Sequence, residues 1–508
     1  MKLFKYILVG WCLLAGMYSC EYVIDLEPEN QVSFTNFFKT EQDIAAVVNM
    51  FHINLRAAET RMVERDMLGW FADKVNEPTA YTRYTQIINL DPEYYVNYIG
   101  TTFSWSTYYS GAIYNSNLLI DNAFRAEFDK DRLKFYLLQA YFVKGVSYFR
   151  VAQNYGDAPI INSSLETGAQ ARKPVKEVLA EAEKWALMAM ELPKFEDLVD
   201  MNGARITSKQ YASRGAAAAL LANIYAWRAA LDGSKQDWEQ AEAYCSKIIE
   251  GEVGYYDLVN TPDEVCSKVL LRNSVEGVWE LQLDQIDNQY FSTMTNHLYS
   301  SSNVGFPARK GKNWTDKQVL ELTKSKVLSL YDADDRRVNA YFFGVDSVHY
   351  ENKVFINKWN QHVVHENLAG SPTPTYKGVS ANKVIWRLAD IILLRAECRA
   401  RLNAPGAVDD LNRVRERAYG NSDHNYKASE GDLRYAIFRE RKKELMYEGQ
   451  YYHDVVRNGY WKTELTEGFS QLTDEDVNNG ALYLPITSNA FKENDLMVQN
   501  VYWLGKQQ

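Results

Sequence analysis

Two stretches of this chain interleave aromatic side chains with short polar ones. Residues 66–86, DMLGWFADKVNEPTAYTRYTQ, carry Trp70, Tyr81 and Tyr84 among Asp66, Asp73, Asn76 and Arg83. Residues 288–314 carry Tyr290, Tyr299 and Trp314 beside Asn288, Asn296 and His297. An aromatic ring is a flat apolar plate, and Asp, Asn or Arg presents paired hydrogen-bonding atoms, so the combination suits a ligand with an apolar face and a polar edge. A sugar ring has that form; an extended peptide between aromatic walls is the other ligand the pattern admits. For any one of these aromatics the plainer role is packing a loop onto a helix, and His297 reads as a loop hydrogen-bonder rather than a metal ligand.

Composition agrees with a stacking surface. There are 35 Tyr and 12 Trp, more than core filling needs, many of them in otherwise polar segments. Catalysis finds no support: glycoside hydrolysis takes two carboxylates, but with 66 acidic residues a pair carries no information. No GxSxG elbow, P-loop or HExxH motif is present. Cys12, Cys20, Cys245, Cys266 and Cys398 form no CxxC pair and no His/Cys cluster at ligand spacing, so neither a disulfide framework nor a metal or other cofactor is expected. A net charge of -10 spread along the chain disfavours a nucleic-acid partner. A local cluster, Arg309, Lys310 and Lys312, runs against that background.

The elements that must position these segments are helical in the first half. Thr40 with Asp43 three residues on reads as the start of a helix with Ile44, Val47, Val48 and Phe51 on one face. Trp105, Tyr108 and Tyr109 keep helical spacing with Ala112 and Ile113 and read as core. Helices then come in pairs. Ala241, Cys245 and Ile248, and again Ala407, Leu411 and Val414, show the spacing of tetratricopeptide-like repeats, which stack because one pair cannot bury its own apolar face. From about 251 to 380 the texture is loop-rich, with EGVWELQLD alternating like a strand. A later helix, DLRYAIFRERKKELMYEG, is expected to end at Gly449, with Glu440, Glu444 and Glu448 as a solvated or ion-paired stripe. At the start, Lys2 and Lys5 precede an apolar run from Tyr6 to Met17, the pattern of a secretory signal and shorter than the roughly 18 residues of a spanning helix.

Nine stretches in order give the chain a family resemblance: FFKTEQDI, WSTYYSGAIYNSN, YFRVAQNYGDAPII, DWEQAEAYCSKIIEG, YDADDRR, IWRLADIILLRAECRARLN, LNRVRERAYG, RERKKELMYEGQYYHDVVRNG and LYLPITSNAFKENDLMVQN. Together, behind a leader ending in Cys20, they resemble the RagB/SusD family of outer-membrane nutrient-binding lipoproteins. The chain departs from the family's pattern at Tyr451, where an Arg is usual, at Thr487, where a second Pro is usual, and in the MYSC box before the cleavage point.

The resemblance implies a mainly α, SusD-like fold with about four tetratricopeptide-like helix pairs and a less regular, loop-rich second half. It implies a signal peptide over 1–19, a lipidated tether over 20–39 attached at Cys20, and one domain over 40–508. Within that domain the helical repeats would occupy about 40–250 and 382–460, and the ligand-binding part about 251–381 with the 60–100 loop. It further implies a non-catalytic cell-surface protein that captures an oligosaccharide or polysaccharide and passes it to a SusC-like TonB-dependent transporter in the outer membrane. Several acyl chains at Cys20 would hold it there, since one chain anchors only marginally. Tyr and Trp content and the family's usual ligands favour glycan over peptide, and a glycoside hydrolase is the remotest alternative.

Overall fold

The computed structural model describes residues 37–59, 74–75, 85–99, 105–283, 320–348, 352–365, 375–379, 381–465 and 467–506. Ten helices of eight residues or more lie among them: α1 (Glu41–Glu59), α2 (Tyr114–Asn122), α3 (Lys130–Tyr155), α4 (Val175–Ala189), α5 (Arg214–Asp232), α6 (Lys235–Ile249), α7 (Leu388–Leu402), α8 (Ala407–Tyr419), α9 (Leu433–Glu444) and α10 (Tyr451–Asn458). The start of α1 is the expected reciprocal cap, Thr40 Oγ1 accepting from Asp43 N at 3.2 Å and Asp43 Oδ2 accepting from Thr40 N at 2.9 Å. Asp129, Ser213 and Ser234 cap α3, α5 and α6 in the same chemistry, and Gly233 and Gly420, both left-handed, end α5 and α8.

The helices pack as a continuous array in which α3 meets α4, α4 meets α5, α5 meets α6, α6 meets α7, α7 meets α8 and α9, and α9 meets α10. The pairs α3–α4, α5–α6, α7–α8 and α9–α10 are the four expected units, and the repeat residues Ala241, Cys245, Ile248, Ala407, Leu411 and Val414 are all buried. Close approach of α4 to α3 depends on Gly145, where a Cβ would stand 3.2 Å from both Ala182 O and Ala186 N. Cys245 of α6 and Cys398 of α7 are free and buried, and burial pushes both thiols up, so they serve as small apolar fillers.

Between α6 and α7 the chain forms short strands. The expected strand is β2 (Gly277–Leu281), paired antiparallel with β8 (Lys383–Arg387), which runs directly into α7. Both are buried along their whole length, and Trp279 lies between Phe142 of α3 and Trp386, with ring centroids 4.9 and 5.5 Å away. A four-stranded antiparallel sheet has the order β1 (Lys74–Val75), β3 (Leu320–Thr323), β5 (Lys353–Ile356), β4 (Phe342–Phe343), and β6 (His362–His365) pairs with β7 (Thr375–Val379).

The α9 region corrects the sequence reading in one respect and decides it in another. The helix ends at Glu444, five residues before Gly449, and of the two readings of its Glu stripe the ion-paired one holds: Glu440, Glu444 and Glu448 are each under a tenth exposed. Glu444 receives Arg387 Nη1 at 2.8 Å, Arg417 Nη2 at 2.6 Å and Arg337 Nη1 at 3.2 Å. Arg387 and Arg417 also share Glu276, each at 2.7 Å, while Arg337 holds Asp335 and Glu440 at 2.8 and 2.7 Å. Arg387 and Lys358 hold Glu448 at 2.7 and 2.6 Å. The helix stops early because its last carbonyls are already satisfied: Glu444 O accepts from Lys358 Nζ and Arg387 Nη2, both at 2.9 Å, and Met446 O from Lys358 Nζ at 3.0 Å. Burial alone would raise the Glu444 carboxyl, but the Arg417, Arg387 and Arg337 guanidiniums overcome it and hold the group well below the usual carboxylate range.

An adjoining set joins α7, α9 and α10. Arg441 bridges Asp390 and Asp454 at 2.7 and 2.8 Å, and Arg457 bridges Glu397 and Asp454 at 2.6 and 2.7 Å. Against burial, Arg457 and Arg401 bring Glu397 down to about 2. Tyr451, at one departure from the family pattern, is buried and donates its hydroxyl to Glu464 O at 2.6 Å.

Removing one partner from a buried ion network leaves the others charged and uncompensated. We expect Glu444→Gln to lower unfolding free energy by ~3–5 kcal/mol in urea titration, whereas Lys235→Ala, which breaks the exposed Lys235–Glu239 pair, changes it by under ~0.5 kcal/mol. An equal effect of the two would refute the central place given to Glu444. Thr487 is buried with φ -68°, and among the described residues its Oγ1 meets no partner and its N–H finds no acceptor. Thr487→Pro is therefore expected to stabilise by ~0.4–1 kcal/mol, read as a higher urea midpoint at unchanged slope; a lower midpoint contradicts it.

Candidate ligand-binding site

Every side chain expected in the ligand site lies outside the described residues: Asp66, Trp70, Asp73, Asn76, Tyr81, Arg83, Tyr84, Asn288, Tyr290, Asn296, His297, Tyr299 and Trp314. So do Cys20 and the Arg309, Lys310, Lys312 cluster. The backbone that carries the two segments is described at both ends. The first segment follows α1 and the second follows β2, and Arg56 Nη1 of α1 donates to Gln282 O at 2.8 Å, immediately after β2. Lys383 Nζ of β8 donates to Glu59 O, the last residue of α1, so the β2–β8 ribbon and α1 are held as one base.

The far ends meet as well. β1, the two residues between Asp73 and Asn76, pairs with β3 in the register Lys74↔Glu321 and Val75↔Leu320, and Leu320 is the sixth residue after Trp314. β3 continues by Leu322↔Val354 into β5, which pairs with β4, so the junction is part of a sheet and not a lone hairpin. The stretches leading into the two segments are thus joined at Arg56 and Gln282, and Lys74–Val75 of the first is paired with the strand that follows the second.

A second feature went unread in the sequence. A cleft of about 440 Å³ opens between the start of α2, the stretch 159–170 and the stretch 490–497. Trp105, which is 5% exposed, forms its inner wall, with Tyr109 tilted 34° to it at a centroid distance of 4.8 Å and Tyr155 edge-on at 5.0 Å. Trp105, Tyr108, Ala112 and Ile113 are buried as their spacing predicts, although Thr107–Ile113 is π-helical, and Tyr109 packs half-buried against that core while also lining the cleft.

Hydrogen bonds run along the cleft walls. Tyr109 donates its hydroxyl to Pro159 O at 2.7 Å. Asp121 Oδ2 accepts from Ser164 N and Ser164 Oγ, both at 2.7 Å, and from Ser163 Oγ at 2.9 Å. Asn494 pairs with the Gln170 backbone in both directions, Oδ1 accepting at 3.2 Å and Nδ2 donating at 3.1 Å. Gln499 pairs likewise with Ile486, and Asn500 donates to Tyr155 O at 3.2 Å, so the amides of the C-terminal family stretch staple the tail to the body.

Two family descriptions match the chain: the SusD family over residues 276–503, and a family described as starch-binding and associating with the outer membrane over 24–226. The chain is similar to SusD-like protein P25 of Formosa agariphila, 21% identical over 490 residues and 89% of each chain. Its fold is similar to that of a SusD homologue from Bacteroides thetaiotaomicron, with TM-score 0.72 at 23% identity over 92% of this chain and 99% of that one. It is also similar to a laminarin-binding SusD-like protein, with TM-score 0.66 at 18% identity over 91% and 99% of the two chains. The two family matches cover the first and second halves of the sequence in turn, the fold agrees along nine-tenths of it, and the chain belongs to the SusD/RagB family.

Proposed function

We propose that this chain is a cell-surface lipoprotein, attached at Cys20, that captures oligosaccharides between segments 66–86 and 288–314 and delivers them to a SusC-like TonB-dependent transporter. One of the two matching families is described as starch-binding and associating with the outer membrane, which supports a carbohydrate ligand met at that membrane. The observation that carries the ligand site is the double tether: Arg56 to Gln282 at the base and Lys74–Val75 to Leu320–Glu321 through the β1–β3 pair. Six aromatics and six polar partners spaced through two tethered loops make up the surface a sugar needs: plates for its C–H face and paired atoms for its hydroxyls. Loops held at two points lose less entropy on closing over a ligand than free ones do. The relative that binds laminarin supports a glycan ligand, and the lipid anchor and transporter rest on the family resemblance and on the leader that ends at Cys20.

Titration calorimetry of the mature protein against a panel of neutral and acidic glycans is expected to find a ligand. Trp70→Ala or Trp314→Ala should then weaken it by ~1–3 kcal/mol, the loss of a buried aromatic anchor. Heat from peptides and from no glycan, or affinity unchanged in both variants, overturns the reading. Cys20→Ser is expected to move the protein from the membrane to the soluble fraction of cells lacking the transporter, and retention in the membrane would remove the anchor from the proposal.

A further inference from the structure

We propose that the cleft walled by Trp105, Tyr109 and Tyr114 is a second saccharide-binding site, specific for an uncharged hexopyranose and separate from the two loop segments. It is built from other parts of the chain, the start of α2 and the stretches 159–170 and 490–497, and the inference does not rest on the loop reading.

The ligand class follows from the lining. Trp105 is almost wholly buried as a side chain, but its indole N–H is not among the buried unpaired groups and meets no acceptor among the described residues, so it remains open to solvent. Tyr114, at 44% exposure, is an aromatic ring left at the mouth, and its hydroxyl has no partner among the described residues. The side-chain amide of Gln170 is equally free, since only its backbone N and O are engaged by Asn494. The cleft therefore offers a donor on the inner wall, a donor–acceptor amide on the rim and aromatic faces between them, which is the pattern of a pyranose with one C–H face and a fringe of hydroxyls.

Charge narrows the class. No Lys or Arg is among the described residues lining the cleft, whereas Glu166 is, so a uronate or sulfated sugar would meet repulsion and no counterion. Nearby Arg172 is fully engaged elsewhere, donating to Asp157 O at 2.8 Å, Val498 O at 3.0 Å and Asn500 Oδ1. The volume lies in the range of small-ligand sites, and walls already fixed by Asp121, Asn494 and the Tyr109–Pro159 bond need little ordering on binding.

Calorimetry with cellohexaose, laminarihexaose, mannohexaose and tetragalacturonate tests this, using the mature protein and a Trp70→Ala/Trp314→Ala double variant. The double variant is expected to keep binding at least one neutral hexaose and to give no heat with tetragalacturonate. Adding Tyr114→Ala or Gln170→Ala should weaken that residual binding about tenfold each, the loss expected for one stacking or hydrogen-bonding group. Neither side chain has a hydrogen-bond partner among the described residues, so both variants should fold, which circular dichroism checks. The proposal falls if no neutral hexaose binds the double variant, if its residual binding ignores both cleft substitutions, or if those substitutions remove tetragalacturonate binding instead. It also falls if a Pro- and Phe-rich peptide, and no hexaose, is what Tyr114→Ala releases. Failure of the loop reading has its own signature: the double variant binds like the parent while the cleft variants still lose affinity.

Discussion

Burying charge is the constraint on which this architecture turns. Glu276, Asp335, Glu440, Glu444 and Glu448 face Arg337, Lys358, Arg387, Arg415 and Arg417, so the set is neutral as a whole although each member would be costly alone. Because its members come from the residue before β2, the 331–343 stretch, the turn after β5, the end of β8, α8, α9 and the turn after α9, the set can be neutral only when all of these are in place. It fixes the loop-rich part against the helical array with directional contacts, where apolar packing alone would tolerate sliding. It also ends α9, since the same Arg387 and Lys358 that neutralise Glu448 take up the free carbonyls at Glu444 and Met446.

This explains why several family stretches have the residues they do. YDADDRR supplies Asp335 and Arg337, IWRLAD supplies Arg387 and Asp390, LNRVRERAYG supplies Arg415 and Arg417, and RERKKELMYEG supplies Glu440, Arg441, Glu444 and Glu448. The C-terminal stretch works through neutral amides instead, with Asn494, Gln499 and Asn500 each closing a backbone gap. Together these stretches hold the base from which α1 and β2 send out the two aromatic segments.

The helical half was legible because its signals are local. A cap such as Thr40 with Asp43, or the buried spacing of Ala241, Cys245 and Ile248, is written within one turn or two. The strands were mostly not legible: β1, β3, β4 and β5 are two to four residues long and pair across gaps such as Leu322 with Val354, so no periodicity can accumulate. The Glu stripe was ambiguous for a physical reason, since i, i+4 carboxylates look alike whether water or arginines from three other elements face them. At the ligand site the aromatic and polar composition was legible and the tether was not, because Arg56 reaching Gln282 is a contact across 226 positions.

The span of the charge network also governs how the chain becomes folded. Its earliest member, Glu276, and its latest, Glu448, bracket most of the second half of the polypeptide, and the α6–α7 contact closes over the same excursion. Any shorter piece ending before α9 would carry Arg337, Arg387 and Arg417 without Glu444, and so could not bury them. The helical repeats are therefore not autonomous in the way a solenoid of like units is: the array is interrupted, and its two parts join only once the intervening 138 residues between Ile249 and Leu388 have folded back. High-contact-order closure of this kind is slow and late, so the chain commits as one piece only once its last helices are in place.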